Sequence, residues 1–323
     1  MSEDRVPGRI WRPNGPLPMR VRPVAHESTG SFLSRLAAAN FVPVQVLLDV
    51  LGEGTQAVDP QIAEVYLSRA ALSRLAVMAG RERAVVQRML PSLREDLLLP
   101  GGAAAWKWPW SPHCRLVRAC ELCAARVNCR DPAWLANADS WRVCVRHSRW
   151  QDDFRGEGPR FLPLADVPEV VAAQRLREVL ERKAGGRAVM ADGFHVAVYW
   201  WSQSSLALPV WRERARQVRL GHFDVRAAPL VVLPEAVALG RSMAAFERLS
   251  AHSGGHSLRP AWLAGWQERL ESWGAGRRGA IDALATWLAR HGASGSRGRR
   301  AVHDGQVPGA PMRDLTCLPW RLG

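Results

Sequence analysis

Apolar positions recur at helical spacing over most of this 323-residue chain, and the breaks between the runs divide it into parts. Residues 1–24 carry five prolines and no periodic apolar pattern, which predicts an extended leader. Glu27-Ser28-Thr29-Gly30 then opens a helix on which Phe32, Leu33, Leu36 and Ala37 keep helical spacing, with Asn40 as its stop. Pro43 suits the first turn of a second helix, with Val46, Leu47, Val50 and Leu51 on one apolar face and Gly52 and Gly54 closing it. The pair then recurs. Leu33-Ser34-Arg35-Leu36-Ala37 is repeated verbatim as Leu72-Ser73-Arg74-Leu75-Ala76, thirty-nine positions later. In that register Val46 matches Val85, Leu51 matches Leu90, and the turn at Asn40-Phe41 matches Ala79-Gly80. Two short helices joined by a tight turn make a helix-turn-helix-like hairpin, so residues 25–100 are expected to hold two of them.

Pro91 to Gly102 breaks the helical pattern and leads into Trp106, Trp108 and Trp110. Such a cluster can serve as a stacking platform for bases, but packing against a small metal module that lacks a core of its own is the expected role. After Gly156-Glu157-Gly158-Pro159 the helical pattern returns. Pro168-Glu169 opens a helix lined by Val170, Val171, Leu176, Val179 and Leu180 as far as Gly185-Gly186. Val196 to Trp201 fits a strand or a buried helix equally well. Pro234-Glu235 opens another helix, and two more follow on Trp262, Leu263, Trp266, Leu270 and Trp273, then on Ile281, Leu284, Ala285 and Leu288. The predicted architecture is mainly α with a small zinc ribbon. It comprises the leader, the hairpins at 25–100, a Trp-rich zinc module at 101–160, a helical region at 161–291, and a basic flexible tail at 292–323 containing Arg297, Arg299 and Arg300.

The zinc module rests on spacing. Cys120-x-x-Cys123 and Cys144-x-x-His147 are two knuckles, each able to turn a pair of donors toward one ion. Four protein donors leave no position for water, so one structural zinc is expected rather than a catalytic one. Trp134, Trp141 and Trp150 would supply the mini-core. Cys114 and Cys129 allow a Cys₄ alternative of spacing C-x5-C-x2-C-x5-C, which is less compact.

Lys and Arg number 44 against 30 Asp and Glu, a formal net charge of +14, and nearly all of the positive residues are Arg. The balance favours a polyanionic partner such as nucleic acid, although a coding bias toward Arg, Ala and Gly would give the same excess. Arg81, Arg83 and Arg88 follow the second turn, where a recognition helix would start, and with Arg74 they are the candidate DNA contacts. No apolar run reaches the ~18 residues of a membrane span, and no signal-like segment opens the chain. Six cysteines, four of them in a metal pattern, suit a reducing interior, so the cytoplasm is expected. No P-loop, G-x-S-x-G elbow, H-E-x-x-H or deaminase signature occurs, and a non-enzymatic role is expected.

The leader, then E-S-x-x-S-x-L-x-R-L-A-x-x-N at Glu27 to Asn40, then the two knuckles with Trp between them, resembles the TniQ family. Pro168 to Arg175 (PEVVAAQR) is also similar to actinobacterial members. Family members are adaptors of transposition systems. The resemblance therefore implies contact with DNA or a DNA-bound targeting complex, and recruitment of an AAA+ ATPase. It also implies Cys120, Cys123, Cys144 and His147 as zinc ligands. Many members carry a second cysteine set after the second knuckle. Here Ser148 to Asp152 has none, and Glu121 stands where a Pro is usual, which makes this a divergent member. A stand-alone zinc and helix-turn-helix transcription regulator is the alternative reading, and self-association a further expected contact.

Overall fold

The computed structural model describes residues 13–55, 59, 63–108, 115–153, 161–203, 208–221, 224, 226–253, 258–274 and 277–291. Trp110, Cys114 and the tail arginines Arg297, Arg299 and Arg300 lie outside them. The described residues hold twelve α-helices, and the chain divides after Leu162 into two compact units. The predicted mainly α class is what is found.

In the first unit, α1 (Thr29–Ala39) starts at Ser28, whose hydroxyl accepts from Ser31 N–H, and ends at Asn40. A four-residue break turns the axis through 117° into α2 (Val44–Leu51). Residues 53–54 (β1) and 66–67 (β2) are short strands. The second hairpin is α3 (Arg69–Ala79), capped by Ser68, and α4 (Arg83–Met89). Phe32, Leu33, Leu36, Leu47, Leu48 and Leu51 of the first hairpin share one core with Leu72, Leu75 and Val86 of the second. Pro43 precedes α2 rather than forming its first turn, and Leu48 is buried where Val46 had been expected. The sharp bend sets that face, presenting adjacent Leu47 and Leu48 inward.

The turns obey the thirty-nine-residue repeat closely. Phe41 N–H donates to Ala38 O and Val42 N–H to Ala37 O, while Gly80 N–H donates to Val77 O and Arg81 N–H to Ala76 O. Phe41 and Gly80 both take the left-handed conformation, at φ 55° and 60°. Each turn is thus the same helix-ending motif, with the paired reverse hydrogen bonds that satisfy the last carbonyls. The leader passes over both: Leu17 N–H donates to Met78 O, and the Asn40 side chain exchanges two hydrogen bonds with the Met19 backbone, at 2.9 and 2.8 Å.

Residues 105–107 (β3) pair with β1 and β2, so Trp106 enters the hairpin core and its Nε1–H donates to Gly52 O at 3.1 Å. Trp108 meets Trp106 edge-on and packs on the same core. This corrects the expectation that these tryptophans serve the metal module. Two glycines permit the close approach: a Cβ on Gly54 would lie 2.1 Å from the Trp106 ring, and one on Gly52 (φ 151°) 2.1 Å from Ala104 O.

The knuckle region follows. β4 (Arg115–Arg118) pairs antiparallel with β5 (Trp134–Asn137) across the short helix α5 (Glu121–Ala125). β6 (Trp141–Cys144) pairs with β7 (Arg149–Asp152), and Trp141 stacks on Trp150 with centroids 4.5 Å apart. Trp134, Trp141 and Trp150 are all buried, as the mini-core requires.

Beyond Pro163 the regular elements among the described residues of the second unit are all helices: α6 (Pro168–Glu181), α7 (Gly186–Ser202), α8 (Pro209–Gln217), α9 (Ala227–Val231), α10 (Leu233–Ser253), α11 (Arg259–Ser272) and α12 (Arg277–His291). Val196 to Trp201 is therefore helix, inside α7. α7 and α10 cross closely through Gly193 and Gly240: a Cβ on Gly193 would lie 2.5 Å from Ala236 O. Leu176 and Val179, expected on the buried face of α6, are exposed, and Val170, Val171, Ala173 and Leu180 line its inner face instead. Buried Arg214 ties the helices together through Glu235, Glu169 and the Val231 carbonyl.

Candidate metal centre

Cys120 immediately precedes α5 and Cys123 sits one turn inside it, so both sulfurs emerge on the same side. Cys144 ends β6, and a tight turn closed by His147 N–H to Cys144 O brings the imidazole back beside it, with Ser148 at φ 47°. The four ligand atoms lie within 4.8 Å of one another. His147 Nδ1 is 3.4 Å from Cys120 Sγ, 3.3 Å from Cys123 Sγ and 3.5 Å from Cys144 Sγ, and Cys123 Sγ is 3.6 Å from Cys144 Sγ. A tetrahedron with metal–sulfur bonds of about 2.3 Å and metal–nitrogen bonds of about 2.0 Å has edges of about 3.5 Å (S to N) and about 3.8 Å (S to S). The measured edges agree with that figure. A disulfide would need its sulfurs at about 2.05 Å.

The electrostatics point the same way. Burial, then the neighbouring Cys144 and Cys120 sulfurs, push the Cys123 thiol up to about 12. Such thiols ionise together only around a cation, which a bound metal supplies. His147 is held below the ordinary imidazole range by burial and by Arg146, Arg149 and Arg126, which favours the neutral ring that ligates. The donor set and its geometry fit a metal ion.

Behind the cluster lies a buried polar network that spacing did not reveal. Glu27 accepts from Arg35 twice, at 2.8 and 2.6 Å, from the Ser31 hydroxyl at 2.9 Å and from Val24 N–H at 2.9 Å. Ser31 in turn accepts from Trp134 N–H at 2.9 Å, Ser28 N–H donates to Trp134 O, and Ala136 N–H donates to His26 O. The start of α1 is thereby stitched to β5, between the two knuckles. The motif E-S-x-x-S-x-x-x-R at Glu27 to Arg35 was visible in the sequence. Its function as a clasp shows only when β5 is placed against it.

The four arginines singled out as DNA contacts differ in setting. Arg81, Arg83 and Arg88 are exposed on the second turn and α4. Arg74 is half-buried and donates to the Val50 and Leu51 carbonyls at 3.2 and 3.5 Å, where α2 ends. Cys129 is a separate buried thiol that donates to Asp131 O.

A cluster of four protein donors, joined through β5 to paired helical hairpins, defines a small Cys₃His type of domain. Residues 18–149 match the family model described as TniQ, which makes this stretch a TniQ domain and supports membership of the chain in the TniQ family. The match covers less than half of the chain and stops short of the second unit. No curated protein and no solved structure matches the chain. The family is associated with transposition. No single helix among the described residues is long and apolar enough to cross a membrane.

Proposed function

We propose that the chain is a non-enzymatic, cytoplasmic adaptor of a DNA transposition system, linking target DNA or a DNA-bound targeting complex to an AAA+ ATPase. The observation that carries this reading is the TniQ match over residues 18–149, which encloses both hairpins and the whole Cys₃His cluster. In this reading Cys120, Cys123, Cys144 and His147 hold one structural Zn²⁺. Zinc supplies no reaction there; it neutralises the three thiolates and fixes β6 against α5. Exposed Arg81, Arg83 and Arg88 contact phosphates from the second hairpin, Arg74 holds the two hairpins in register, and the helical second unit docks protein partners.

The test is metal content by native mass spectrometry on the full chain, together with capture of the AAA+ ATPase on DNA. One zinc per chain is expected, lost in Cys144→Ser together with cooperative unfolding of the first unit, because binding energy at a structural site is folding energy. A folded, metal-free protein overturns the zinc assignment. Failure of the zinc-loaded protein to retain the ATPase on DNA overturns the adaptor.

A further inference from the structure

The two repeats supply an internal control for one position. At the left-handed residue of each turn the backbone, its φ value and its hydrogen bonds agree, so the fold makes the same demand of both. That demand favours glycine, because a Cβ in the left-handed region meets the following carbonyl. The second turn meets it with Gly80. The first carries Phe41, a bulky residue in the disfavoured conformation, with 95% of its surface exposed. Among the described residues Phe41 has no ring contact and fills no core, so neither folding nor packing accounts for it. Strain held at an exposed residue points to a contact made with something else.

Its neighbours say what kind. Met19, more than half exposed, is held beside the turn by the two bonds from Asn40. Arg20 lies over the other turn, its Nε 3.0 Å from where a Cβ on Gly80 would stand. The segments meeting at this end, residues 13–26, 40–43 and 79–82, contain Arg20, Arg22 and Arg81 against a single acid, Glu82. All three arginine side chains are exposed and, among the described residues, bond no carboxylate. An exposed aromatic and a methionine on segments that also carry exposed arginines match the way duplex DNA is entered, with apolar wedges opening a base step while arginines hold the flanking phosphates.

We infer that this end of the hairpin domain binds duplex DNA, with Phe41 as the wedge, Met19 beside it, and Arg20 and Arg81 on the backbone. The inference rests on the DNA-contacting part of the adaptor reading, with which it shares Arg81, and it adds the leader and the first turn to that contact.

The experiment uses the full-length, zinc-loaded protein and a 30-bp duplex rich in TA steps, which open easily, with 2-aminopurine replacing one adenine. Binding is followed by anisotropy over a salt series and unstacking by 2-aminopurine emission. Phe41→Gly should weaken binding about tenfold and abolish the emission rise. It should leave the salt dependence unchanged and the melting temperature equal or higher. The variant therefore cannot lose binding by unfolding. Arg20→Ser with Arg81→Ser should reduce the slope of log K against log salt by about 1.8, or 0.9 per phosphate contact released. Wild-type-like binding and emission in Phe41→Gly overturns the wedge while leaving the adaptor standing. An unchanged slope in the arginine variant removes the phosphates from this face and overturns it as well. A Phe41→Gly protein that keeps DNA but loses the ATPase reassigns the face to a protein partner. A wild type that binds no duplex overturns both the wedge and the DNA contact of the adaptor, whatever the zinc content.

Discussion

The two hairpins share the verbatim run Leu-Ser-Arg-Leu-Ala and use it differently. Leu33 and Leu36 in the first, and Leu72 and Leu75 in the second, are fully buried, so the repeat preserves the apolar frame. The arginine between them does not keep one role. Arg35 is enclosed with Glu27 and helps clasp α1 to the knuckle region, whereas Arg74 donates to the end of α2 from a half-open site. The starts of the helices differ likewise. α1 has the buried carboxylates Glu27 and Glu64 at its first turn, and α3 has only the Ser68 hydroxyl, which accepts from Ala71 and Ala105 N–H. Burial of the leucines follows from the repeat itself. The fate of a charged side chain follows from what the rest of the chain builds opposite it.

Removing the arginines one at a time should separate the hairpins most sharply. Arg35→Ala leaves Glu27 charged and unpaired in the interior and should cost about 3–5 kcal/mol in denaturant unfolding, with the clasp to β5 loosened. Arg74→Ala loses two long hydrogen bonds from a half-buried site and leaves no charge unpaired, so it should cost only about 1 kcal/mol. Equal costs would mean that the clasp does not depend on the ion pair.

Glu64 distinguishes the helix starts by pH. It accepts from Thr29 N–H at 2.8 Å and Val65 N–H at 2.9 Å, and burial raises it to about 7 against the stabilising hydrogen bonds. A carboxyl raised on folding contributes stability that is present below pH 4.5 and lost as pH rises through 7. Glu64→Gln keeps an acceptor without the charge. Its unfolding free energy relative to wild type should improve by about 3 kcal/mol between about pH 4.5 and 7.5. A difference that is flat with pH would show that the buried carboxyl does not titrate in this range.

A smaller effect than that of Glu64 belongs to the turns. Gly80→Ala places a Cβ in the left-handed region, 3.0–3.1 Å from Arg20 and Pro16, and should cost about 1–2 kcal/mol in thermal unfolding. A Gly80→Ala variant as stable as wild type would remove the strain argument from both turns, Phe41 included.

How far the sequence could be read tracks the range of each interaction. Helical periodicity, the serine and asparagine caps and the verbatim repeat are local, and they located both hairpins. The two-residue knuckle spacings are local too, and they brought the four donors together correctly. Trp106 was misjudged because its partners are remote: β1 and β2 precede it by about forty to fifty residues, and only Gly52 and Gly54 hinted at a ring pressed on backbone. The clasp escaped for the same reason. Glu27, Ser31 and Arg35 read as helix-start residues until β5 lies beside them. Val196 to Trp201 stayed ambiguous because a helix enclosed on most sides has no polar stripe to reveal its period.

The hydrogen bond from Trp134 to Ser31 spans 103 positions of sequence. At roughly 5–20 residues per second of synthesis, the residues of the first hairpin are therefore made about 5–20 s before the strand that covers its polar edge. Throughout that interval Glu27 and Arg35 stay hydrated, and the interior ion pair can be sealed only when β5 arrives. The domain is thus completed from its middle. The knuckle strands do more than hold a metal: they are the late part that converts two early helices from an open, water-filled edge into a closed one.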